Sequence, residues 1–338
     1  MSSTIKDVAS IAGVSIATVS RVLNGKPGIK PATIQIVLKT AKDLNYSPDY
    51  VARSMITKRT STIALVIADT ANPFYADTAK TIERIARLND YSLIVCNTDN
   101  KASIQKKIIE MLKQKKVDGM IFGSVRLSDP PVHELIQEGY PCILYHRALK
   151  NSEGNFIGSD NEKGVNLVIN HLYKLGHRRI GFISGPSIFS TGMERLSSYI
   201  NSIKKLGLEH IPYLVQEGGY KLTKTTVAVK KLINLPSPPT AIFASNDFMA
   251  LQVMDIILKE GYRIPEDFSI VGYDNILFAS HQRIQLTTVD VQISEAARLA
   301  IENLLNIINR KSEQIKPIKI IIEPKLVIRA STSTPKRI

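Results

Sequence analysis

Residues 4–25, TIKDVASIAGVSIATVSRVLNG, constrain the fold most strongly, because their pattern fits two short helices joined by a tight turn. Gly13 can adopt the left-handed backbone conformation that such a turn requires, and the hydroxyl of Ser15 can cap the helix that follows. Apolar side chains recur at helical spacing and are expected to pack the helices together. They are Val8, Ala9, Ile11 and Ala12 on the first helix and Val19, Val22 and Leu23 on the second. The pattern predicts a helical hairpin.

The second helix of this hairpin is expected to leave a small face exposed that carries no acidic side chain. Its residues are Ile16, Ala17, Thr18, Ser20 and Arg21. A helix of this kind fits the major groove, so the hairpin is predicted to be a helix-turn-helix unit that binds double-stranded DNA. The alternative is an ordinary helical hairpin near the end of a chain.

The distribution of charge favours a DNA-binding unit. The chain has a net charge of +14, and residues 1–60 hold nine Lys or Arg against three Asp or Glu, which gives +6. Basic side chains in this region would neutralise phosphates, so binding is expected to weaken steeply as salt increases.

Two further segments belong to the same N-terminal region. Pro31 suits the first turn of a third helix, where its missing N–H costs nothing. Residues 48–56 form a short segment that would not be a stable helix alone in water, so it is predicted to fold only against a partner. Residues 56–61 are predicted to be a polar linker. The third helix carries apolar residues at helical spacing, namely Ile34, Val37, Leu38, Ala41 and Leu44.

From residue 62 onward, runs of Val, Ile and Leu alternate with amphipathic helical segments, which is typical of parallel sheets in α/β layers. Two such series follow one another and predict two similar lobes. Ligands of open parallel sheets bind at the carboxyl ends of the strands. Here those ends are polar and rich in turn-forming residues, which favours a ligand-binding cleft. They lie at positions 69–74, 97–100, 124, 146–147, 184–191, 245–247 and 273–275.

The sequence does not support several other classes of function. No pair among the six histidines has metal-ligand spacing, and we find no phosphate-binding loop, dinucleotide fingerprint or nucleophile elbow. We therefore expect no enzyme activity, no metal and no cofactor. Cys96 and Cys142 lie in apolar strand-like runs and are expected to be buried thiols. The N-terminus has no apolar leader and no run approaches about 20 apolar residues, so we expect a cytoplasmic protein without a membrane partner.

From residue 4 to about residue 329, the chain resembles the LacI/GalR family of bacterial transcription regulators. The motifs that carry the resemblance are IKDVASIAGVSIATVSRVLNG, NYSPDYVARSM, ANPFYADTAKTIE, KVDGMIF, LGHRRIGFISGP, TAIFASNDFMALQVM, IPEDFSIVGYDN and LTTVDV.

The resemblance implies an all-α helix-turn-helix headpiece followed by a periplasmic-binding-protein-like α/β core of two parallel-sheet lobes. The headpiece would span residues 1–58, with a hinge helix at about 48–56 that enters the minor groove, and the core would span residues 59–338. Within the core, the N-lobe would comprise about 60–159 and 291–321, and the C-lobe about 160–290 and 322–330.

The resemblance also implies which headpiece residues contact DNA. Ile16, Ala17 and Arg21 would read bases, since Arg can pair with guanine and apolar side chains can meet thymine methyl groups. Met55 stands where relatives usually carry Leu as an apolar wedge between the central base steps. The residues implied to contact phosphates or set the register are Thr4, Lys6, Ser15, Thr18, Ser20 and Asn24, and the hinge residues are Val51, Ala52 and Met55.

In the cleft, the implied effector-binding residues are Asn72, Phe74, Tyr75, Ser124, Arg147, Thr191, Arg195, Asp247 and Asp274. Amide, guanidinium and carboxylate groups beside aromatic rings suit a polyol, because each sugar hydroxyl both donates and accepts hydrogen bonds. Two alternatives stay open at this point: Asn72 and Pro73 could simply form a turn, and Asp274 could cap a helix.

Two positions in the cleft depart from what the resemblance implies. His146 replaces a more common Asp, and its role is open. Phe189 stands where purine-responsive relatives carry Arg, and its lack of charge favours a sugar or sugar-like effector.

The function implied is a ligand-responsive transcription regulator, specifically a repressor, that binds a near-palindromic operator as a homodimer. The polar C-terminal tail lacks the leucine heptads that make some relatives tetrameric, which favours the dimer. The alternatives are a regulator that responds to nucleosides or purines, a solute-binding protein without a DNA function, and an enzyme acting on a sugar or nucleotide.

Overall fold

The N-terminal helices form where the sequence pattern predicts them. In the computed structural model, which describes residues 3–23, 27–46, 59–150, 154–309 and 316–336, these helices are α1 (Ile5–Ile11), α2 (Ile16–Leu23) and α3 (Pro31–Asp43). Thr4 and Asp7 form a reciprocal capping box at the start of α1. Gly13 adopts a φ of 66° in the turn. The hydroxyl of Ser15 accepts a hydrogen bond from the N–H of Thr18 at 3.1 Å, so both predictions about the turn are confirmed.

A small apolar core joins the three helices, and it consists of Val8, Ala9, Val19, Val22, Val37 and Ala41. Two residues predicted to face this core do not do so: Ile11 is 65% exposed and Leu38 is 50% exposed. Pro31 occupies the first turn of α3, and Lys30 before it provides no side-chain cap. These elements belong to a compact unit, Met1–Thr60, distinct from a second unit, Ser61–Ile338. The predicted hinge helix at 48–56, with Val51, Ala52 and Met55, and also Asn24 lie outside the described residues.

The second unit alternates strands and helices as predicted. In chain order its elements are β1 (Thr62–Ile67), α4 (Pro73–Leu88), β2 (Ser92–Asn97), α5 (Ala102–Gln114), β3 (Gly119–Phe122), α6 (Pro130–Gln137), β4 (Cys142–Tyr145), β5 (Phe156–Ser159), α7 (Asn161–Lys174), β6 (Ile180–Ser184), α8 (Ser190–Lys205), β7 (Val215–Glu217), α9 (Leu222–Ile233), β8 (Ala241–Ala244), α10 (Asp247–Lys259), β9 (Ser269–Val271), β10 (Thr288–Asp290), α11 (Ile293–Asn309), β11 (Lys319–Ile322) and β12 (Lys325–Val327). Short 3-10 helices lie at Pro212–Leu214 and Leu277–Ser280.

Two parallel sheets form the two lobes of this unit. The N-lobe sheet has the strand order β11–β5–β4–β3–β1–β2, and the C-lobe sheet has the order β7–β6–β8–β9. Every strand pair within these sheets is parallel. The inner strands β1, β3, β4, β5, β6 and β8 are largely buried, as is typical of parallel sheets that helices cover, whereas the edge strands β2, β7 and β11 are partly exposed. The carboxyl ends of the strands therefore supply the loops that can face a ligand.

Three chain crossings connect the lobes. They lie between β5 and α7, between β10 and α11, and between β11 and β12. At the last two crossings, β10 and β12 pair as a separate antiparallel ribbon in which Thr288 lies opposite Val327. Because these three crossings are the covalent connections between the lobes, any movement of one lobe relative to the other has to be accommodated by backbone changes in them.

One helix boundary in this unit differs from the sequence prediction. A polar, turn-rich strand end was expected at residues 69–74, but α4 already begins within it, at Pro73. The side chain of Asn72 caps α4 by accepting the N–H of Phe74 at 3.1 Å, and proline is well suited to the first helical position. These two local effects explain the earlier start.

Two expectations about the composition of the unit can be compared with the structure. Cys96 and Cys142 are buried free thiols, as predicted. Within the described ranges, no helix is both long and apolar enough to cross a membrane.

Candidate functional site

A cleft lies within the second unit, where the loops at the carboxyl ends of both sheets face each other. It holds about 580 Å³ of space, open solvent included. The residues that line the cleft are Ala68, Asp69, Asn72, Phe74, Tyr75, Asn100, His146, Arg147, Thr191, Arg195, Tyr220, Asn246, Phe248 and Asp274.

Arg195, on the first turns of α8, forms part of the C-lobe wall and is 5% exposed. Its Nε donates to Oδ1 of Asn161 at 2.8 Å, and its Nη1 donates to the carbonyl of Ser245. Its guanidinium carbon lies 3.7 Å from the centre of the Tyr273 ring. These contacts fix the plane of the guanidinium, and they leave Nη2 without a hydrogen-bond partner in the described part of the chain.

Asp274 faces Arg195, with its Oδ1 3.6 Å from Nη1. Burial raises the pKa of this carboxyl to about 7, while the nearby charges of Arg195 and Arg147 act in the opposite direction. Its backbone has a φ of 118° and follows β9 rather than starting a helix, so the alternative reading as a helix cap is wrong. A buried carboxyl with free acceptor positions is well placed to bind a ligand hydroxyl.

Arg147 lies on the N-lobe wall and is 7% exposed. Its Nη1 donates to Oδ1 of Asn100 at 2.9 Å. Its guanidinium carbon stands 3.9 Å above the ring of Phe189 and 5.7 Å from the ring of Tyr220. Phe189 does not line the cleft but forms a platform for this cation. The Phe that stands at position 189, where purine-responsive relatives carry Arg, therefore supports the side chain of Arg147.

His146 is a neutral side chain in the same wall. Burial, and secondarily the charge of Arg195, lowers the pKa of its imidazole to about 3. Its ring packs edge-on against Phe74 and Tyr145. Its Nε2 is buried and has no hydrogen-bond partner among the described residues. A neutral imidazole in a ligand-facing wall can act as a donor or an acceptor, according to its tautomer.

The loop after β1 supplies an amide and two aromatic rings. Asn72 uses its side-chain oxygen to cap α4 and also lines the cleft. A role in the turn before α4 and a position facing a ligand are therefore compatible at this residue. The hydroxyl of Tyr75 donates to the carbonyl of Gly123 at 2.7 Å, which leaves its ring as the part that faces the cleft. The Phe74 ring meets the Tyr75 ring edge-on at 5.1 Å.

Two residues predicted to face the effector do not line the cleft. Ser124 is 2% exposed, and its hydroxyl donates to Oε1 of Gln105 at 2.7 Å. Asp247 is fully buried; it accepts hydrogen bonds from the hydroxyl of Thr288 and from the N–H of Ile276. Ser124 therefore belongs to a buried polar chain, and Asp247 ties the start of α10 to neighbouring loops. These placements correct both expectations.

The other predicted residues meet in one place: Asn72, Phe74, Tyr75, Arg147, Thr191, Arg195 and Asp274 all line the cleft. Their contact with an effector stays a prediction. Tyr220, Asn246 and Phe248 also line it but were not singled out from the sequence. Tyr220 follows β7 within three residues, so the rule that strand ends face the ligand would have identified it if applied to that strand.

Several cleft residues hold a left-handed backbone conformation that side-chain-bearing residues rarely adopt. The φ angles are 57° at Asn100, 56° at His146, 57° at Tyr220 and 118° at Asp274. Such conformations cluster at functional sites, where the surrounding structure holds them in place.

The headpiece presents the predicted reading face. Ile16, Ala17 and Arg21 are exposed on α2, and Nη2 of Arg21 donates to the carbonyl of Pro27 at 2.9 Å. Lys6 is exposed on α1, while the side chain of Thr4 is engaged in the capping box. Thr18 and Ser20 are half-buried, and Ser15 caps α2. The contacts of all these residues with DNA stay predictions.

A helix-turn-helix unit with an exposed reading helix, followed in the same chain by a two-lobed α/β unit with a polar cleft, defines a ligand-responsive DNA-binding regulator. Residues 4–49 match the family described as bacterial regulatory proteins, lacI family, and residues 169–332 match the periplasmic binding protein-like domain. The chain therefore belongs to the LacI/GalR family of transcription regulators and is not an enzyme.

Similar proteins span nearly the full length of the chain. The HTH-type transcriptional repressor PurR of Aliivibrio salmonicida is 32% identical over 97% of this chain and 98% of its own length. Among solved structures, the lac repressor dimer bound to operator and the anti-inducer ONPF superposes with a TM-score of 0.85, at 25% identity over 98% of this chain and 100% of that one. The complex of the transcriptional regulator CelR with cellobiose has a TM-score of 0.73, at 28% identity over 97% and 99% of the two chains.

Proposed function

We propose that this chain represses transcription by binding a near-palindromic operator as a homodimer, and that a sugar or sugar-like effector in the cleft changes its operator affinity. The observation that carries the proposal is the pair Arg195 and Asp274, which face each other in a cleft between the two lobes. Together with the amide of Asn72, they offer a polyol both donors and acceptors.

The DNA-binding half of the proposal is supported by the surface of α2. Ile16 and Ala17 provide apolar contacts for thymine methyl groups, and Arg21 provides a planar donor for guanine. In the DNA-free protein, Arg21 is held by the Pro27 carbonyl, so we expect its side chain to reorient when it meets a base. A neighbouring copy would place a second α2 in the next major groove of a near-palindromic site.

Dimer formation is supported by an exposed apolar pair on the C-lobe. Leu277 and Phe278 are adjacent and are 70% and 49% exposed. Apolar side chains that are exposed together commonly mark protein–protein contacts. One structural relative is a dimer bound to operator, which supports the same assembly for this chain.

Effector control would act through the contacts that hold the cleft narrow. The N–H of Leu127 donates to the carbonyl of Ile188 at 2.9 Å, and the N–H of Ala148 donates to the hydroxyl of Ser190 at 2.9 Å. Both hydrogen bonds join the N-lobe to the C-lobe. An effector that binds one arrangement of the lobes more tightly shifts the population toward it, and a coupling of about 1–3 kcal/mol would change operator affinity roughly 5- to 150-fold.

The choice of a sugar is supported by the chemistry of the cleft and by the relative that binds cellobiose. A purine is a second candidate, because the PurR repressor is similar over nearly the whole chain and the rings of Phe74 and Phe248 could stack on a base. The sugar is preferred because the platform residue Phe189 brings no additional polar group to the cleft.

The experiment is a fluorescence anisotropy titration of the full-length chain on a palindromic duplex selected from a random library. We expect nanomolar binding by two protomers, weakening by about 10³-fold between 50 and 200 mM salt. A panel of sugars and a panel of purines are then added to the preformed complex. Binding that is absent or insensitive to salt would refute the DNA-binding proposal, and a response to purines alone would refute the sugar.

A further inference from the structure

Arg147 is a buried cation whose charge is not matched by an ion pair. Only Nη1 is engaged, with the neutral amide of Asn100, and in the described ranges no carboxylate lies within 4.0 Å of its guanidinium. Its Nε and Nη2 have no hydrogen-bond partner there either. A buried charge is costly unless it is paired and hydrogen-bonded, so this side chain is set up to receive an acceptor from the cleft.

The start of α8 adds a second attraction for negative charge at the same place. This helix has 16 residues, its N-cap is Phe189, no side chain caps it, and its first turn contains no acid. The N–H groups of its first three residues have no partner within the helix, and the helix dipole is positive at this end. Thr191, in this first turn, lines the cleft.

The two features are held together by direct contacts. The ring of Phe189 supports the guanidinium of Arg147 at 3.9 Å, and the next residue, Ala148, donates its N–H to the hydroxyl of Ser190. The first turn of α8 also packs very closely on the loop before it, since a Cβ at Gly192 would lie 2.2 Å from the carbonyl oxygen of Pro186. The cation, from the N-lobe, and the helix N-terminus, from the C-lobe, therefore meet at one corner of the cleft.

The acidic side chains of the cleft do not cancel this charge. Asp274 faces Arg195 at 3.6 Å, and burial leaves it only partly ionised near neutral pH. Asp69 is half-exposed and accepts the N–H of Ala71 at 2.9 Å. His146 is neutral and contributes an unpartnered Nε2. Two guanidiniums and two carboxyls thus line the cleft, but Asp69 is half-exposed and Asp274 lies beside Arg195, so neither carboxyl forms an ion pair with Arg147 among the described residues.

We propose that the effector carries an anionic group, a carboxylate or a phosphate, and that this group binds between the guanidinium of Arg147 and the N-terminus of α8. The polyol part of the same molecule then reaches Arg195 and Asp274. This inference rests on the proposed function, because it names the class of effector that the cleft accepts. A planar guanidinium and free backbone N–H groups are the donors that bind such anions best.

The test is isothermal titration calorimetry on the full-length chain with sets of probes that share one sugar skeleton. Each set contains the neutral sugar, its uronic acid and its 6-phosphate, for example glucose, glucuronate and glucose 6-phosphate. We expect at least one anionic member to bind at least 10-fold tighter than its neutral counterpart. Tighter binding of the acid identifies a carboxylate, and tighter binding of the phosphate identifies a phosphate.

Variants of Arg147 test whether the tighter binding of the anionic probe depends on the guanidinium of this residue. Arg147→Gln should weaken the anionic probe roughly 10- to 100-fold, because it removes a charged donor, while the neutral sugar changes little. Arg147→Lys should lie between these two proteins, since it keeps the charge but loses the planar fork. Arg87→Gln removes the same charge from an exposed ion pair with Glu83 and should leave binding unchanged.

The inference is overturned if neutral sugars bind as tightly as their anionic counterparts, if Arg147→Gln binds the anion normally, or if no anionic probe binds. If a neutral sugar binds as tightly as its anionic counterparts and changes operator affinity, the proposed function is supported and only the inference of an anionic group on the effector is refuted. If no probe, neutral or anionic, changes operator affinity, the proposed effector response itself fails.

Discussion

Replacing Asp247 by Asn should reduce the loss of stability that the protein suffers as the pH rises. The carboxyl of Asp247 is fully buried, and burial together with the charge of Asp274 raises its pKa to about 8. Because an unfolded Asp titrates near pH 4, the folded state holds an extra proton between about pH 4 and pH 8. Stability contributed in this way is complete below the lower value and is lost as the pH rises through the upper one.

The expected change in the free energy of unfolding follows from the one extra proton that the folded state holds on Asp247. Each pH unit inside this window costs about 1.4 kcal/mol, so raising the pH from 5 to 7 costs about 3 kcal/mol at this residue. For a unit of about 280 residues, 1 kcal/mol corresponds to roughly 2 °C in Tm, which predicts a difference of about 6 °C. Asn can keep both hydrogen bonds, because its oxygen can accept from Ile276 and its amide can donate to the oxygen of Thr288.

The assay is differential scanning calorimetry of the full-length chain between pH 5 and pH 8, following the transition of the larger unit. Asp255→Asn serves as the matched control, since Asp255 lies on the same helix but is exposed and paired with Lys259. We expect the control to keep the wild-type pH slope and Asp247→Asn to lose about 1.4 kcal/mol per pH unit of it. Equal slopes for Asp247→Asn and wild type would show that the carboxylate is ionised in the folded state and would refute the reasoning.

Three other substitutions test separate parts of the structure. Arg195→Ala should abolish the effector response, while operator affinity measured by anisotropy stays within a few-fold. It should also lower the Tm, because Asp274 loses its ion-pair partner. A collapse of DNA binding would contradict the assignment of Arg195 to effector binding alone. Gly164→Ala should destabilise the core by about 1–3 kcal/mol in urea unfolding, because its Cβ would lie 2.1 Å from the hydroxyl of Tyr273. Thr4→Ala should destabilise the headpiece by about 1 kcal/mol in thermal melts followed by circular dichroism, and an unchanged midpoint would mean that the capping box contributes nothing.

The helix-turn-helix could be predicted from sequence because its determinants are local. Gly13 needs only its own backbone freedom, and Ser15 needs only the N–H three residues ahead. The residues that pack into the core of these helices were predicted less accurately, since Ile11 and Leu38 satisfy helical spacing and are still exposed. Spacing locates the apolar side of a helix, but the width of the buried stripe depends on where the neighbouring helices end.

The cleft could be located because the carboxyl ends of parallel strands converge whatever the loop sequence is. Which side chain at each end faces the ligand could not be predicted with the same success. Ser124 and Asp247 follow strands as expected, but Gln105 and Thr288 approach from distant parts of the chain and engage them. Contacts between segments so far apart in sequence have no local signature. The same holds for the platform that Phe189 provides under Arg147.

The left-handed residues around the cleft have a consequence for how this protein could change under selection. His146, Tyr220 and Asp274 hold backbone angles that glycine adopts without strain. A glycine at any of these positions would relax the backbone and at the same time delete a side chain that lines the cleft. A glycine at Asp274 would leave the buried cation of Arg195 without its ion-pair partner, and a glycine at His146 would remove a ring that packs against Phe74 and Tyr145. Relief of the backbone therefore comes only with lost packing, so laboratory evolution for heat resistance alone should retain these side chains, and the ability to sense a signal is protected by selection for stability.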